Sequence, residues 1–165
     1  MQPVAFEPLL SLPRVRVGAA GPVLLSVFDG LGDMEGVLRV QRAALSLARK
    51  RRSTIGSLVV VGDGKTIVNG GDSQQRAEFQ KALKEVDAVM FATAVVVASG
   101  GFSGAALRAF VSGVILAARS PYPMKVFDGF VSARDWIVDR GVDPTERTVV
   151  AAALDRGLAS LTAAT

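Results

Sequence analysis

The chain has 165 residues and a formal net charge of +4 at pH 7, half of its residues are hydrophobic, and it contains neither cysteine nor histidine. This length favours one domain with a sizeable core. The missing residue types exclude disulfides, metal sites built on thiolates or imidazoles, and every catalytic arrangement that needs a histidine or a cysteine. The mild positive charge permits a nucleic-acid or acidic partner but does not require one.

The first half of the chain predicts strands that alternate with a helix. The alternating residues 14–17 are typical of an edge strand, and residues 18–22 of a turn. Residues 23–28 and 57–61 are apolar runs that predict two buried strands. Between them, residues 34–52 place apolar side chains at helical spacing.

The second half of the chain continues this alternation. Its predicted elements are a helix from Asp72 or Ser73, a strand at 94–98, a helix at 103–119 with Ser103 as N-cap, a strand at 124–127, a helix with Ser132 as N-cap, and a last helix from Asp143 to about Leu161. Strands that alternate with helices predict an α/β fold in which the inner strands are parallel.

Neither of the two common phosphate-binding motifs fits the glycine-rich stretches. The sequence VVVGDGKT at 59–66 has Val59 where a P-loop needs its first glycine. Gly100, Gly101 and Gly104 form G-G-x-x-G rather than the G-x-G-x-x-G of dinucleotide-binding folds. Ser103 is favoured as a helix N-cap, a position that also accepts a phosphate, and the lack of histidine excludes it as a nucleophile of the serine-protease type.

Three aspartates follow three predicted strands, each directly before a glycine: Asp29, Asp63 and Asp128. At the carboxyl edge of a parallel sheet, where ligands usually bind, clustered carboxylates can hold Mg²⁺. The favoured interpretation is simpler, because Asp-Gly is a common turn pair.

The run Arg49–Arg52 is the only true basic run in the chain. A solvated helix C-terminus is the favoured interpretation, since cations suit that end of the helix dipole, and a docking patch for nucleic acid or an acidic protein is the alternative. No targeting segment is recognised, and the longest uncharged apolar run, Ala88–Ala98, is too short to span a bilayer. We therefore expect a cytoplasmic protein without a membrane or nucleic-acid partner.

The order of the elements and the stretch VVVASGGFSGAALRAF at 95–110 resemble the STAS domains, the family of SpoIIAA-like bacterial anti-sigma-factor antagonists. The signature of that family is a strand, an acidic residue, two Ser or Thr, a glycine and an apolar helix. Ser103-Gly104 matches the Ser-Gly core and Leu107 the apolar helix position. The acidic residue is absent, and Gly101 and Phe102 precede the serine.

The resemblance covers roughly residues 14–140 and implies a STAS-like mixed sheet with mainly parallel inner strands, flanked by helices. It implies a domain at 1–142 with an N-terminal strand extension, followed by a C-terminal helical extension at 143–165. The extension's own apolar positions, Val149, Val150, Ala153 and Leu154, predict that it packs on the domain or on a second subunit. The expected function is a non-enzymatic regulatory module. Its partner would be a kinase-like or sigma-regulating protein, with a homodimer as an alternative.

The partner-binding and phosphorylation site that the resemblance implies is Ser103, with its neighbours Gly101, Phe102 and Gly104. No cofactor is expected. Two alternatives stay open. The Ala-, Val- and Gly-rich run from 88 to 118 can line a pocket for a small apolar ligand or a lipid, and Asp29, Asp63 and Asp128 can serve a magnesium-dependent hydrolase.

Overall fold

The chain forms a mixed sheet with helices on both faces, as shown by a computed structural model that describes residues 4–30, 34–62, 73–98 and 101–163. In chain order the described elements are β1 (Phe6–Ser11), β2 (Val15–Ala20), β3 (Val23–Phe28), α1 (Met34–Arg51), β4 (Ile55–Val61), α2 (Ser73–Asp87), β5 (Met90–Val97), α3 (Gly101–Ala118), β6 (Met124–Phe127), α4 (Phe130–Gly141) and α5 (Arg147–Ala163). The predicted alternation and the α/β class are confirmed.

The six described strands lie side by side in their chain order, β1 to β6. The first three are antiparallel, and β3 to β6 are parallel, as predicted for the inner strands. Each parallel connection steps to the next strand in the same direction, and right-handed crossovers then place the connecting helices on one face. The core clusters agree: α1, α2 and α3 pack on one face of the sheet, and α4 and α5 pack on the other.

Residues 14–17 are predicted to form an edge strand, and the predicted edge position is wrong. β2 lies between β1 and β3, and all six of its residues are buried. It also continues through Ala20, so the predicted turn at 18–22 is reduced to Gly21 and Pro22. The charged residue of the strand, Arg16, is tolerated because its Nη2 donates to the Asp29 carboxylate at 3.0 Å.

The last helix belongs to the same core as the sheet. α5 packs on β1, β2, β3 and α4, and its residues Val150, Ala153 and Leu154 are completely buried. Arg134 of α4 donates to Asp155 of α5 and ties the two helices together at their surface. The helix of the segment predicted as an extension therefore lies against the sheet and α4.

Two phenylalanine rings fill spaces that glycines leave between the sheet and this pair of helices. The ring of Phe6 lies where side chains at Gly18 of β2 and Gly157 of α5 would otherwise stand. The ring of Phe91 lies in the same way against Gly56 of β4 and Gly141 of α4. Close packing leaves no room for a further carbon atom at these glycines, so each ring fixes how its helix sits on the sheet.

Candidate functional site

The glycine-rich stretch leads into α3, which begins at Gly101. Ser103 is therefore the third residue of the helix, and its predicted place as the N-cap before the helix is wrong. Ser132 is displaced in the same way, because α4 begins at Phe130 and its N-cap is Gly129, which makes no side-chain cap bond. A serine before an apolar run marks the region of a helix start, but a helix can begin at the preceding glycine without a side-chain cap.

The N-terminal turn of α3, Gly101 to Gly104, follows the carboxyl end of β5, so it lies at the edge of the parallel strands where α/β proteins usually bind ligands. Gly104 is buried. The structure thus keeps the predicted residues Gly101, Phe102, Ser103 and Gly104 together in one helical turn at that edge.

One face of α3 is exposed and uncharged. We call it the outer face of α3, and it consists of Ala105, Ala109, Gly113 and Leu116. These positions follow one another at helical spacing, and the Leu116 side chain is 80% exposed. On the opposite side of the helix, Val111 and Ile115 pack against the ends of the parallel strands.

The single charged residue of α3 is Arg108, which donates from Nη1 to the carbonyl oxygen of Val97 at 3.2 Å. Val97 is the last residue of β5, so this bond binds the helix to the strand that precedes it. The charge is engaged at the strand end, and the outer face of α3 contains none.

An apolar pocket of about 250 Å³ lies between α1, α3 and the sheet. We call it the α1–α3 pocket, and the described residues that line it are Phe28, Gly30, Val37, Val40, Gln41, Val59, Val61, Val95 and Val111. It exists because α1 covers β2 to β4 and α3 covers β5 and β6, while α2 packs mainly against α1. Among these described residues, Val95 and Val111 belong to the run 88–118 that predicted an apolar ligand site.

The described strand-end aspartates do not converge. Asp29 follows β3 and Asp128 follows β6, and these strands are three positions apart in the sheet, which corresponds to about 14 Å. This separation is too large for one cation, whose oxygen ligands lie about 2.0–2.6 Å away. Asp63 lies outside the described residues, and the described part of the chain contains no group of three acidic, histidine or cysteine side chains that could hold a metal ion.

The basic run forms the C-terminal end of α1, as predicted. Arg49, Lys50 and Arg51 occupy the last turn, and Arg52 has the left-handed backbone (φ 52°) that commonly ends a helix. Lys50 Nζ lies 2.9 Å from Oε1 of Glu7 on β1. These contacts fit a solvated helix end.

A polar cluster that sequence reasoning missed lies near the amino end of β5. Tyr122 is half-buried there beside Thr93 and Asp87. Burial raises the pKa of the Tyr122 hydroxyl, and the charge of Asp87 acts in the same direction, while a hydrogen bond with Thr93 opposes them. The motif SPYP around this single tyrosine marks a break between helix and strand, but nothing in it indicates these partners.

The raised pKa of Tyr122 predicts a loss of stability at high pH. Above about pH 10 the unfolded chain releases the phenolic proton more readily than the folded one, so the free energy of unfolding falls as the pH rises. Urea unfolding of the wild type and of Tyr122→Phe between pH 8 and pH 11.5 isolates this effect. We expect the stability of the wild type relative to the variant to decrease through this range, and a constant difference would contradict the raised pKa.

Comparison of the chain with protein-family models, with curated proteins and with solved structures finds no match. Among the described residues, no helix combines the length and the apolar character needed to cross a membrane.

Proposed function

We propose that this chain is a non-enzymatic regulatory module that binds a protein partner through the outer face of α3. The proposal starts from the resemblance to STAS domains, which implies a kinase-like or sigma-regulating partner in the bacterial cytoplasm. It is supported by the order of the elements, since strands at the N-terminus followed by alternating helices and strands are the order on which the resemblance rests.

The observation that carries the proposal is an exposed helix face without charge. A helix at the surface of a soluble domain normally turns charged and polar side chains to water, as α1 does with Glu35, Arg39 and Arg42. The outer face of α3 instead exposes small residues and the 80% exposed Leu116. Interface cores are depleted of charge in this way, and a few residues near their centre contribute most of the binding energy.

The partner is expected to offer an apolar groove or an apolar helix. The outer face of α3 is open at Gly113, because a side chain added there would meet no neighbouring atom within 4 Å. Small residues on such a face allow a partner backbone to approach closely, and an anchor such as Leu116 fits an apolar groove. A partner that binds mainly through acidic side chains is disfavoured, since the face offers no basic group.

A photo-reactive amino acid placed at position 116 tests this proposal in cells that produce the protein. Val131 of α4 provides the matched control, because it is also an exposed apolar residue (57%) but lies on the helix pair of the opposite face. We expect a cross-linked protein at position 116 and none at position 131. Sedimentation of the purified chain shows whether the partner is a second copy. The same adduct at both positions, or none at 116, would refute the proposal.

The same experiment tests Ser103, the residue that the resemblance implies as the regulatory one. Ser103→Asp places a negative charge in the first turn of α3, where the helix dipole favours it, so the fold should be retained. We expect a weaker adduct from position 116 in this variant. An unchanged adduct would remove Ser103 from the proposal and leave the outer face of α3 in place.

A second candidate function, binding of a small apolar ligand, is favoured by the α1–α3 pocket. Its described lining is almost entirely apolar, and it lies at the carboxyl ends of β3, β4 and β5. Ligand binding and partner binding are compatible, because the pocket is on the inner side of α3 and the proposed partner surface is on its outer face.

A further inference from the structure

The α1–α3 pocket contains one polar side chain in an apolar surrounding. Gln41 of α1 is only 9% exposed, and its Oε1 atom is buried without a hydrogen-bond partner among the described residues. It lines the pocket together with Phe28 and valines of α1, α3 and the sheet. A buried amide oxygen without a partner is costly for a folded protein, so its presence at an apolar pocket points to a donor that the described residues do not supply.

The size and charge of the pocket limit what can supply that donor. A cavity of about 150 Å³ holds benzene, so about 250 Å³ corresponds to roughly ten non-hydrogen atoms. None of the described residues that line the pocket is charged. A phosphate or a carboxylate would find no counter-charge on these residues, which favours a neutral ligand.

We infer that the α1–α3 pocket binds a small neutral amphiphile whose O–H or N–H group donates a hydrogen bond to Oε1 of Gln41. This inference rests on the second proposed function, the binding of an apolar ligand. The apolar body of the ligand contacts Phe28 and the valines, and Gln41 fixes its orientation. The donor also explains why a glutamine stands where α1 otherwise places apolar side chains, at Val37, Val40 and Ala44.

Three probes of similar shape separate the apolar contact from the hydrogen bond. Para-cresol has a donor hydroxyl, toluene has no polar group, and 4-methylanisole keeps the oxygen but has no donor. Binding is measured by the shifts of backbone amide signals in ¹H–¹⁵N NMR spectra of the intact chain. We expect para-cresol to bind the wild type at least about fivefold more tightly than either other probe, with shifts at pocket residues.

Two variants complete the test. Gln41→Leu removes the acceptor and is expected to bind toluene as tightly as para-cresol, and it should fold because it removes a buried polar group without a partner. Val37→Trp places a large ring at a half-buried residue of α1 that lines the pocket and should abolish the binding of all three probes. Circular dichroism during thermal unfolding checks that both variants are folded.

The outcomes distinguish the failure of this inference from the failure of the second proposed function. If none of the probes shifts the pocket residues of the wild type, the ligand-binding function itself is refuted. If all three bind equally to the wild type, or if Gln41→Leu still prefers para-cresol, the pocket binds ligands but the role of Gln41 is wrong. If Gln41→Leu does not fold, the comparison of para-cresol with 4-methylanisole in the wild type still decides the inference.

Discussion

Leu154→Ala is expected to lower the free energy of unfolding by about 3 kcal/mol. Leu154 lies on α5, is completely buried, and belongs to the core cluster between the sheet and the helix pair α4 and α5. Truncation removes apolar contacts and leaves a cavity that the surrounding side chains fill only in part. A loss of this size requires that α5 unfolds together with the sheet.

Val149→Ala is the matched control for this substitution. Val149 lies on the same helix but is 37% exposed, so its truncation is expected to change the stability by no more than about 0.5 kcal/mol. Urea unfolding followed by both circular dichroism and Trp136 fluorescence measures the two variants. A loss of less than about 1 kcal/mol for Leu154→Ala would mean that α5 is loosely attached to the domain.

Gly157→Ala is expected to lower the free energy of unfolding by about 2 kcal/mol, although alanine is the better helix former. A methyl group at this position of α5 would overlap the ring of Phe6. The ring lies between α5 and β2, so either the helix or the edge strand β1 must move. Gly113→Ala provides a direct contrast on α3, because nothing lies within 4 Å of the added methyl group, and we expect it to raise the stability by about 0.5–1 kcal/mol.

A double-mutant cycle with Phe6→Leu checks the cause of the Gly157→Ala effect. The smaller leucine side chain gives the added methyl group room, so Gly157→Ala should cost less in the Phe6→Leu background than in the wild type. Equal costs in the two backgrounds would show that the overlap with Phe6 is not the reason. In that case other contacts would have to determine the position of α5 on the sheet.

The sequence predicts those elements whose pattern reflects local burial. The uncharged runs of β3, β4 and β5 are typical of strands covered on both faces, and the structure buries them between two helix layers. The burial of β2 on both faces does not follow from its sequence in the same way. Its alternation of Arg16 with valines suggests one exposed face, but α5, which comes some 130 residues later in the chain, covers that face.

The candidate site was predicted in part. The helical spacing of Val111 and Ile115 correctly indicates the inner face of α3, and Leu116, which falls outside that apolar stripe, is the signal that could have identified the outer face. The α1–α3 pocket depends on where three helices stand over the sheet. Such a distance between elements is set by packing over the whole chain, and no local pattern encodes it.

The three strand-end aspartates also show that a sequence pattern does not give the distance between elements. Strands of one parallel sheet share an edge, which the sequence correctly suggests, but the distance between two aspartates depends on the order of the strands. Because β4 and β5 lie between β3 and β6, Asp29 and Asp128 stand at distant points of that edge. Asp29 is instead engaged by Arg16.

The most direct test of the proposed surface is the affinity of the Leu116→Arg variant for the partner identified by cross-linking. Titration calorimetry measures this affinity, and Val131→Arg is the control. Both substitutions place an arginine at an exposed apolar position, so both variants should fold like the wild type. If the outer face of α3 is the partner surface, Leu116→Arg weakens binding at least about tenfold and Val131→Arg leaves it within about twofold. Equal affinities of the two variants and the wild type would contradict the proposal.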